Sequence, residues 1–98
     1  MTRKIIWSPS AEQDFEQILN YLFLKWNKKV VIDFITITNK LIIHISANPK
    51  QFPLIHKTKK VRKCVLTKHN TLYYSENIDG IQILRIFDTR QHPGKLKT

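Results

Sequence analysis

VVIDFITITNKLIIHISA, residues 30–47, decides how this chain folds. Its Val, Ile and Thr content favours a strand. Its length does not: a strand typically runs about 5–6 residues, and no turn signal interrupts this stretch. Phe34, Thr38, Leu41 and Ile45 recur at helical spacing, and Val30, Ile37 and Ile42 widen the stripe. Spacing and length together predict a helix. Asn48-Pro49 ends it, because the residue before a proline avoids the helical region.

Upstream, no Gly or Pro occurs between Pro9 and Pro49, as suits helices. Ser8 is a good N-cap, and Pro9 fits the first helical position, where its missing N–H costs nothing. Ala11, Phe15, Ile18, Leu22 and Trp26 then mark one helical face. Glu12, Asp14 and Glu16 lie in the first turns, where negative charge suits the helix dipole. Asn27, in the short polar break WNKK, is expected to end this helix. Two helices joined so closely form an antiparallel hairpin. Residues 3–7 read as an edge strand.

Downstream, PKQFPLIHKTKK has two prolines and no periodicity, and reads as a loop. Residues 61–66 alternate as a strand, KHN is a turn, and TLYYSEN is a second strand. Asp79-Gly80 is a hairpin signal. IQILRIFDT is a third, mostly apolar and interior strand. The order β-α-α-β-β-β predicts an α+β fold in one domain, residues 1–98. A helical hairpin covers one face of a small, mainly antiparallel sheet. The other face is left to carry basic residues.

The chain carries 17 Lys and Arg against 7 Asp and Glu, a net charge of +10. Residues 49–98 hold eleven of the basic and three of the acidic side chains. Such a field favours a polyanion or an acidic protein, although a basic, well-solvated surface gives the same composition. Cys64 is the single cysteine, which excludes an intrachain disulfide and fits a reducing compartment. The four His and one Cys show no metal-ligand spacing, so neither metal nor cofactor is expected. The sequence offers no uninterrupted apolar stretch of the roughly 20 residues that span a bilayer. MTRKIIWSPS is too weakly apolar for a signal segment. A cytoplasmic protein without membrane attachment is expected.

Three segments, WSPSAEQDFEQILNYL, VRKCVLTKHNTLYY and GIQILRIFDTRQHPGK, together resemble the RelE/ParE toxin superfamily in order and spacing. The resemblance covers nearly the whole chain. It implies the toxin of a type II toxin–antitoxin module, of the kind that stabilises plasmids, held silent by a cognate antitoxin. RelE-like members cut mRNA on the ribosome; ParE-like members poison DNA gyrase. It leaves open a homodimer or a toxin–antitoxin hetero-oligomer.

RNA cleavage of the RelE kind needs cations to stabilise a phosphorane and groups to move protons. The resemblance puts Arg90 at a basic position near the end of the last strand. His92 stands near a catalytic His of related nucleases, and Lys68 and His69 are candidates from the turn. Where RelE-like chains carry an Arg, this chain has Thr71, so a metal-independent endoribonuclease is left open by an incomplete set. Lys57, Lys59, Lys60, Arg62, Lys63, Tyr73, Arg85 and Lys95 are candidate contacts to RNA or to a protein partner. Each has a plainer reading. Arg90 can be a strand-end ion pair with Asp88, His92 a solvated tail residue, and the lysines a solvated loop. Arg85 shares an alternating row with Ile81, Ile83 and Phe87, so either that face is open or Arg85 pairs with Glu76. The competing functions are a non-toxic basic nucleic-acid-binding module and a decayed toxin that keeps antitoxin binding.

Overall fold

Helix α1, Pro9–Lys25, and helix α2, Lys28–Ala47, form the expected hairpin in the computed structural model, which describes residues 3–90. The Ser8 hydroxyl accepts the Ala11 N–H at 2.9 Å and Pro9 takes the first turn. Asn27 does not end α1; Trp26 caps it, and Asn27 is the N-cap of α2. Its side-chain oxygen accepts the Val30 N–H at 3.0 Å, the role its short amide fills best. Trp26, placed on the apolar stripe by spacing, is 62% exposed because the helix has already ended there.

Burial overrides the strand preference of α2. Phe34, Thr38, Ile42, Ile45 and Ser46 are buried along one side. Thr38 is tolerated there because its hydroxyl donates to the Phe34 carbonyl at 2.8 Å. By length and composition alone α2 is also long and apolar enough to cross a membrane, contrary to the sequence expectation. Lys28, Lys29, Asp33 and Lys40 lie within it, and its buried side chains join one core with α1 and the sheet.

The sheet has five strands in the order β1-β5-β4-β3-β2. They are β1 Ile5–Trp7, β2 Leu54–His56, β3 Val61–Thr67, β4 Asn70–Asn77 and β5 Gly80–Asp88. Strand β1 sits at one edge, parallel to β5, and the other neighbours are antiparallel. Strand β2 corrects the loop reading of residues 49–60. Three exposed residues bounded by Pro53 and a lysine turn carry no readable alternation. Strand β5 is interior, between β1 and β4. Gly80 opens β5 with φ +138, and a Cβ there would run into the Lys4 carbonyl oxygen.

Leu72, Tyr74, Ile81 and Ile83 from the sheet meet Ala11, Ile18 and Ile45 from the helices, all at 0–1% exposure. Tyr74 is the inward one of the adjacent tyrosines, and its hydroxyl donates to the Pro49 carbonyl at 2.7 Å. Trp7, Phe15 and Phe34 form a run of ring contacts between β1 and the two helices, at 5.3 and 5.9 Å.

A β-bulge breaks β5. Tyr73 lies opposite Arg85 and Tyr74 opposite Ile83, so Leu84 is the extra residue. Ile81 and Ile83 face the helices before the bulge, and Ile86 and Asp88 face them after it. Strand β1 stops opposite Ile83, leaving the outer edge of β5 uncovered beyond it. The start of α1 covers it instead. The Ser8 N–H donates to the Ile83 carbonyl at 2.9 Å, and its hydroxyl donates to the Leu84 carbonyl at 2.8 Å. Asp14 accepts the Ile86 N–H at 3.0 Å and grips the Arg85 guanidinium with both oxygens, at 2.7 and 3.0 Å. Replacing Asp14 with Ala should lower stability by about 1–3 kcal/mol, because the Ile86 N–H and Arg85 both lose their partner. Asp14→Asn, which keeps one acceptor, should lose less; urea unfolding of the three chains measures the difference.

Burial also sets an alkaline limit. It pushes the Cys64 thiol from 9.0 to about 11. Burial likewise pushes the Tyr74 phenol from 10.0 to about 12, against the opposing pull of Arg62. Both groups are neutral when protonated, so the unfolded chain releases these protons at lower pH than the folded one. Their contribution is constant at neutral pH. It is lost as pH rises, from 9.0 toward 11 for Cys64 and from 10.0 toward 12 for Tyr74. The urea midpoint should fall steadily above that threshold, and Cys64→Ala should flatten the first part of the fall.

Candidate functional site

The register sorts the candidate residues into three places. On the face turned away from the helices, Lys63 lies opposite Tyr73, and Tyr73 opposite Arg85, so one row crosses three strands. The next row is Val65, Thr71 and Phe87. Thr71, where the resemblance expects an Arg, therefore sits between two apolar side chains. Lys63 and Arg85 are exposed, Tyr73 is half-buried, and Val65 is 61% exposed.

Arg85 does not pair with Glu76. Its partner is Asp14, whose hydrogen bond holds the guanidinium further above its already high range. The alternation argument failed because the bulge at Leu84 shifts the pattern by one residue. Glu76 takes Arg3 instead, at 2.7 Å. Among the described residues, Arg3 is the ion-pair partner of the buried Glu76 Oε2, which has no other polar partner.

The second group is at the end of the sheet where β5 stops. Arg90 turns back onto Asp88, donating its backbone N–H at 2.9 Å and approaching the carboxylate with its guanidinium at 3.4 Å. The guanidinium also lies over the Tyr21 ring, 5.6 Å from its centre. Asp88 is fully enclosed, while Arg90 keeps 25% of its side chain exposed. The strand-end ion pair is thus present. Lys68 and His69 form the β3–β4 turn at the same end, where the Thr89 N–H donates to the His69 carbonyl at 2.9 Å. Beneath the turn, Asn70 accepts from the Thr67 hydroxyl at 2.6 Å, while its buried Nδ2 has no hydrogen-bond partner among the described residues. His92 and Lys95 lie outside the described residues.

The third group is at the opposite end. Lys57, Lys59 and Lys60 occupy the β2–β3 turn, with the Lys59 N–H donating to His56 Nδ1 at 3.1 Å. Arg62 lies opposite Tyr74, hence on the helix side. Its guanidinium donates to the Lys50 and Phe52 carbonyls at 3.2 and 2.7 Å, strapping residues 50–52 to the sheet. Arg3 and Lys50 line a cleft with this group. Sequence reasoning missed both, since they are single cations far apart in the chain.

A helical hairpin on one face of a mixed five-stranded sheet is a fold this chain shares with solved chains of toxin–antitoxin systems. A chain of the chromosomal ParDE toxin–antitoxin system from P. aeruginosa aligns with a TM-score of 0.74 at 17% identity, over 89% of this chain and 96% of that one. A YoeB/ParE toxin from Agrobacterium tumefaciens aligns at 0.63 and 15% identity, over 87% and 96%. A chain of the E. coli DinJ-YafQ toxin–antitoxin complex aligns at 0.54 and 14%, over 93% and 97%. Identities this low establish the fold alone. Among curated proteins, none is significantly similar in sequence. The family profile described as ParE toxin of type II toxin-antitoxin system, parDE, matches residues 5–93, and the chain belongs to that family.

Because Asp88 is enclosed, Arg90→Ala should destabilise the fold as well as alter the surface. A loss of about 1–3 kcal/mol is expected from the buried carboxylate left short of a partner. Thermal unfolding of Arg90→Ala beside Arg90→Lys checks this, with the Lys variant expected between Ala and wild type.

Proposed function

We propose that this chain, as a single-domain type II toxin, arrests growth by binding DNA gyrase with its open sheet face rather than by cutting mRNA. One observation carries the reading: Thr71 lies between Val65 and Phe87, beside a row of Lys63, Tyr73 and Arg85. RNA cleavage asks for a phosphate clamp and a proton acceptor at the centre of that face. Here the centre is Thr71 between two apolar side chains, in place of a cation, and Lys63 and Arg85 beside it donate only. Mixed aliphatic, aromatic and cationic surface suits a protein target. The ParE family match supports the same choice. The competing reading, ribosome-dependent mRNA cleavage, draws on Lys68, His69 and Arg90 at one end of the sheet.

The proposal places the protein in the cytoplasm, without a cofactor, where a cognate antitoxin neutralises it as a toxin–antitoxin hetero-oligomer. The seven acidic side chains against seventeen basic ones favour an acidic antitoxin segment.

Induced expression should stop growth, and the neighbouring small open reading frame should restore it. DNA breaks with intact mRNA, and loss of gyrase supercoiling with purified protein, are the expected signatures. Tyr73→Ala combined with Lys63→Glu should weaken gyrase inhibition about thirtyfold or more if this row is the centre of the contact. Cleaved mRNA with unimpaired supercoiling overturns the gyrase assignment.

A further inference from the structure

Helix α1 ends at Lys25 and α2 begins at Lys28, and every residue from Phe23 to Lys29 at this tip of the hairpin is exposed. Three of them are large and apolar: Phe23 is 59%, Leu24 82% and Trp26 62% exposed. Ile32, in the next turn of α2, is 50% exposed. Single exposed apolar side chains are ordinary, but a cluster at one end of a helix layer marks a contact. The core does not use it. Helix α1 turns Ala11, Ile18 and Leu22 inward, and Trp26 lies past the helix end.

Lysines interleave with these side chains. Lys25, Lys28 and Lys29 belong to the same exposed stretch. Lys29 reaches Asp33 at 3.1 Å, but among the described residues Lys25 and Lys28 have no carboxylate partner. The first turn of α2 carries no acidic side chain. Lys28 and Lys29 therefore stand at the positive end of a helix dipole, a placement that costs stability and that a negative surface relieves. Tyr21, one turn before Lys25, lies under the Arg90 guanidinium at 5.6 Å. The tip thus lies toward the end of the molecule that holds Arg90 and the β3–β4 turn, where Lys68 adds to the positive field.

A second copy of the chain suits this tip poorly, because it would set uncompensated lysines against each other. Single-stranded nucleic acid would stack on Phe23 and Trp26 but would leave Leu24, the most exposed of the set, and Ile32 in water. A bilayer with anionic headgroups uses every feature. Aliphatic and aromatic side chains enter the boundary between headgroups and acyl chains, and lysines reach back to the phosphates.

We propose that the tip of the α1–α2 hairpin docks on an anionic phospholipid bilayer. Phe23, Leu24 and Trp26 insert at the headgroup boundary, and Lys25, Lys28 and Lys29 meet the phosphates. The sequence led to no membrane contact because only spanning lengths were weighed there; a surface anchor needs a few side chains at one place. The contact belongs to the helix layer, so the open sheet face stays free, and the inference does not rest on the gyrase reading.

The purified full chain is mixed with vesicles of phosphatidylglycerol and phosphatidylethanolamine, and with vesicles of phosphatidylcholine alone. Sedimentation measures binding, and tryptophan emission reports insertion. The anionic vesicles should bind about tenfold or more tighter. Emission should shift to the blue and be quenched by bromine-labelled acyl chains. Trp26→Phe should abolish the shift and leave sedimentation nearly unchanged, since the remaining Trp7 packs against Phe15. Leu24→Ser with Trp26→Ser should weaken binding about tenfold or more. Lys25→Glu with Lys28→Glu should weaken it more than Lys57→Glu with Lys59→Glu, an equal change of net charge at the other end of the molecule. Circular dichroism confirms that each variant folds. Equal losses from the two charge-reversed pairs, binding without a Trp26 signal, or no binding at all overturns the inference. So does a lipid-free dimer that Leu24→Ser with Trp26→Ser dissociates, or an oligothymidylate that quenches Trp26 and displaces the chain from vesicles. Supercoiling assays contain no lipid, so failure here leaves the gyrase reading untouched, and failure there leaves this inference untouched.

Discussion

The structure turns on how α1 meets β5. Strand β1 covers only the first part of that edge, and a bulge then turns the rest of β5. Exposed strand groups beyond β1 would be left without partners, or open to another chain. Ser8 and Asp14 take them. The Ser8 hydroxyl accepts from Ala11 to start the helix while donating to Leu84 in the bulge. Helix start, strand edge and bulge are therefore one arrangement. It fixes which side chains of β5 face the helices, and so which remain for the open face.

Much of this fold was legible because its signals are local. Ser8 and Pro9, the spaced apolar residues of α1 and α2, Asn48-Pro49 and Asp79-Gly80 each name a structure from a few neighbours. What failed was what needs partners. Strand β2 exists through pairing with β3, not through its own pattern. The bulge inserts one residue, and strict alternation then places Arg85 in a row with Ile81 and Ile83. Asn27 was read as ending one helix when it starts the next, because a single polar break fits either role. The α2 stretch could be read as a helix despite its β-branched residues because its length exceeded any ordinary strand.

The candidate site was legible one residue at a time. Lys63, Tyr73 and Arg85 could each be named, but their alignment across three strands is a matter of register. Arg3 and Lys50 gave no signal, since only the fold brings them beside Arg62. The strong charge bias of the second half divides between an open face, a basic cleft and the end holding Lys68, His69 and Arg90. Of these cations, Arg85 and Arg90 also hold the fold together through Asp14 and Asp88. Loss of effect on mutating either one therefore reports on structure and contact together, whereas Lys63 and Tyr73 report more nearly on contact alone.

Pairing β1 with β5 joins the first described strand to the last. The Ser8–Leu84 bond spans 76 residues. During synthesis, the first strand emerges with no partner until the last strand follows it. The helices can form early, but the sheet edge and the bulge must wait for β5. The open face takes its final arrangement only then, since β5 supplies one side of it. A nascent or truncated chain lacking β5 thus has the helical hairpin without the complete open face. For a chain of a toxin family, this order of assembly holds back the open face until β5 has been made.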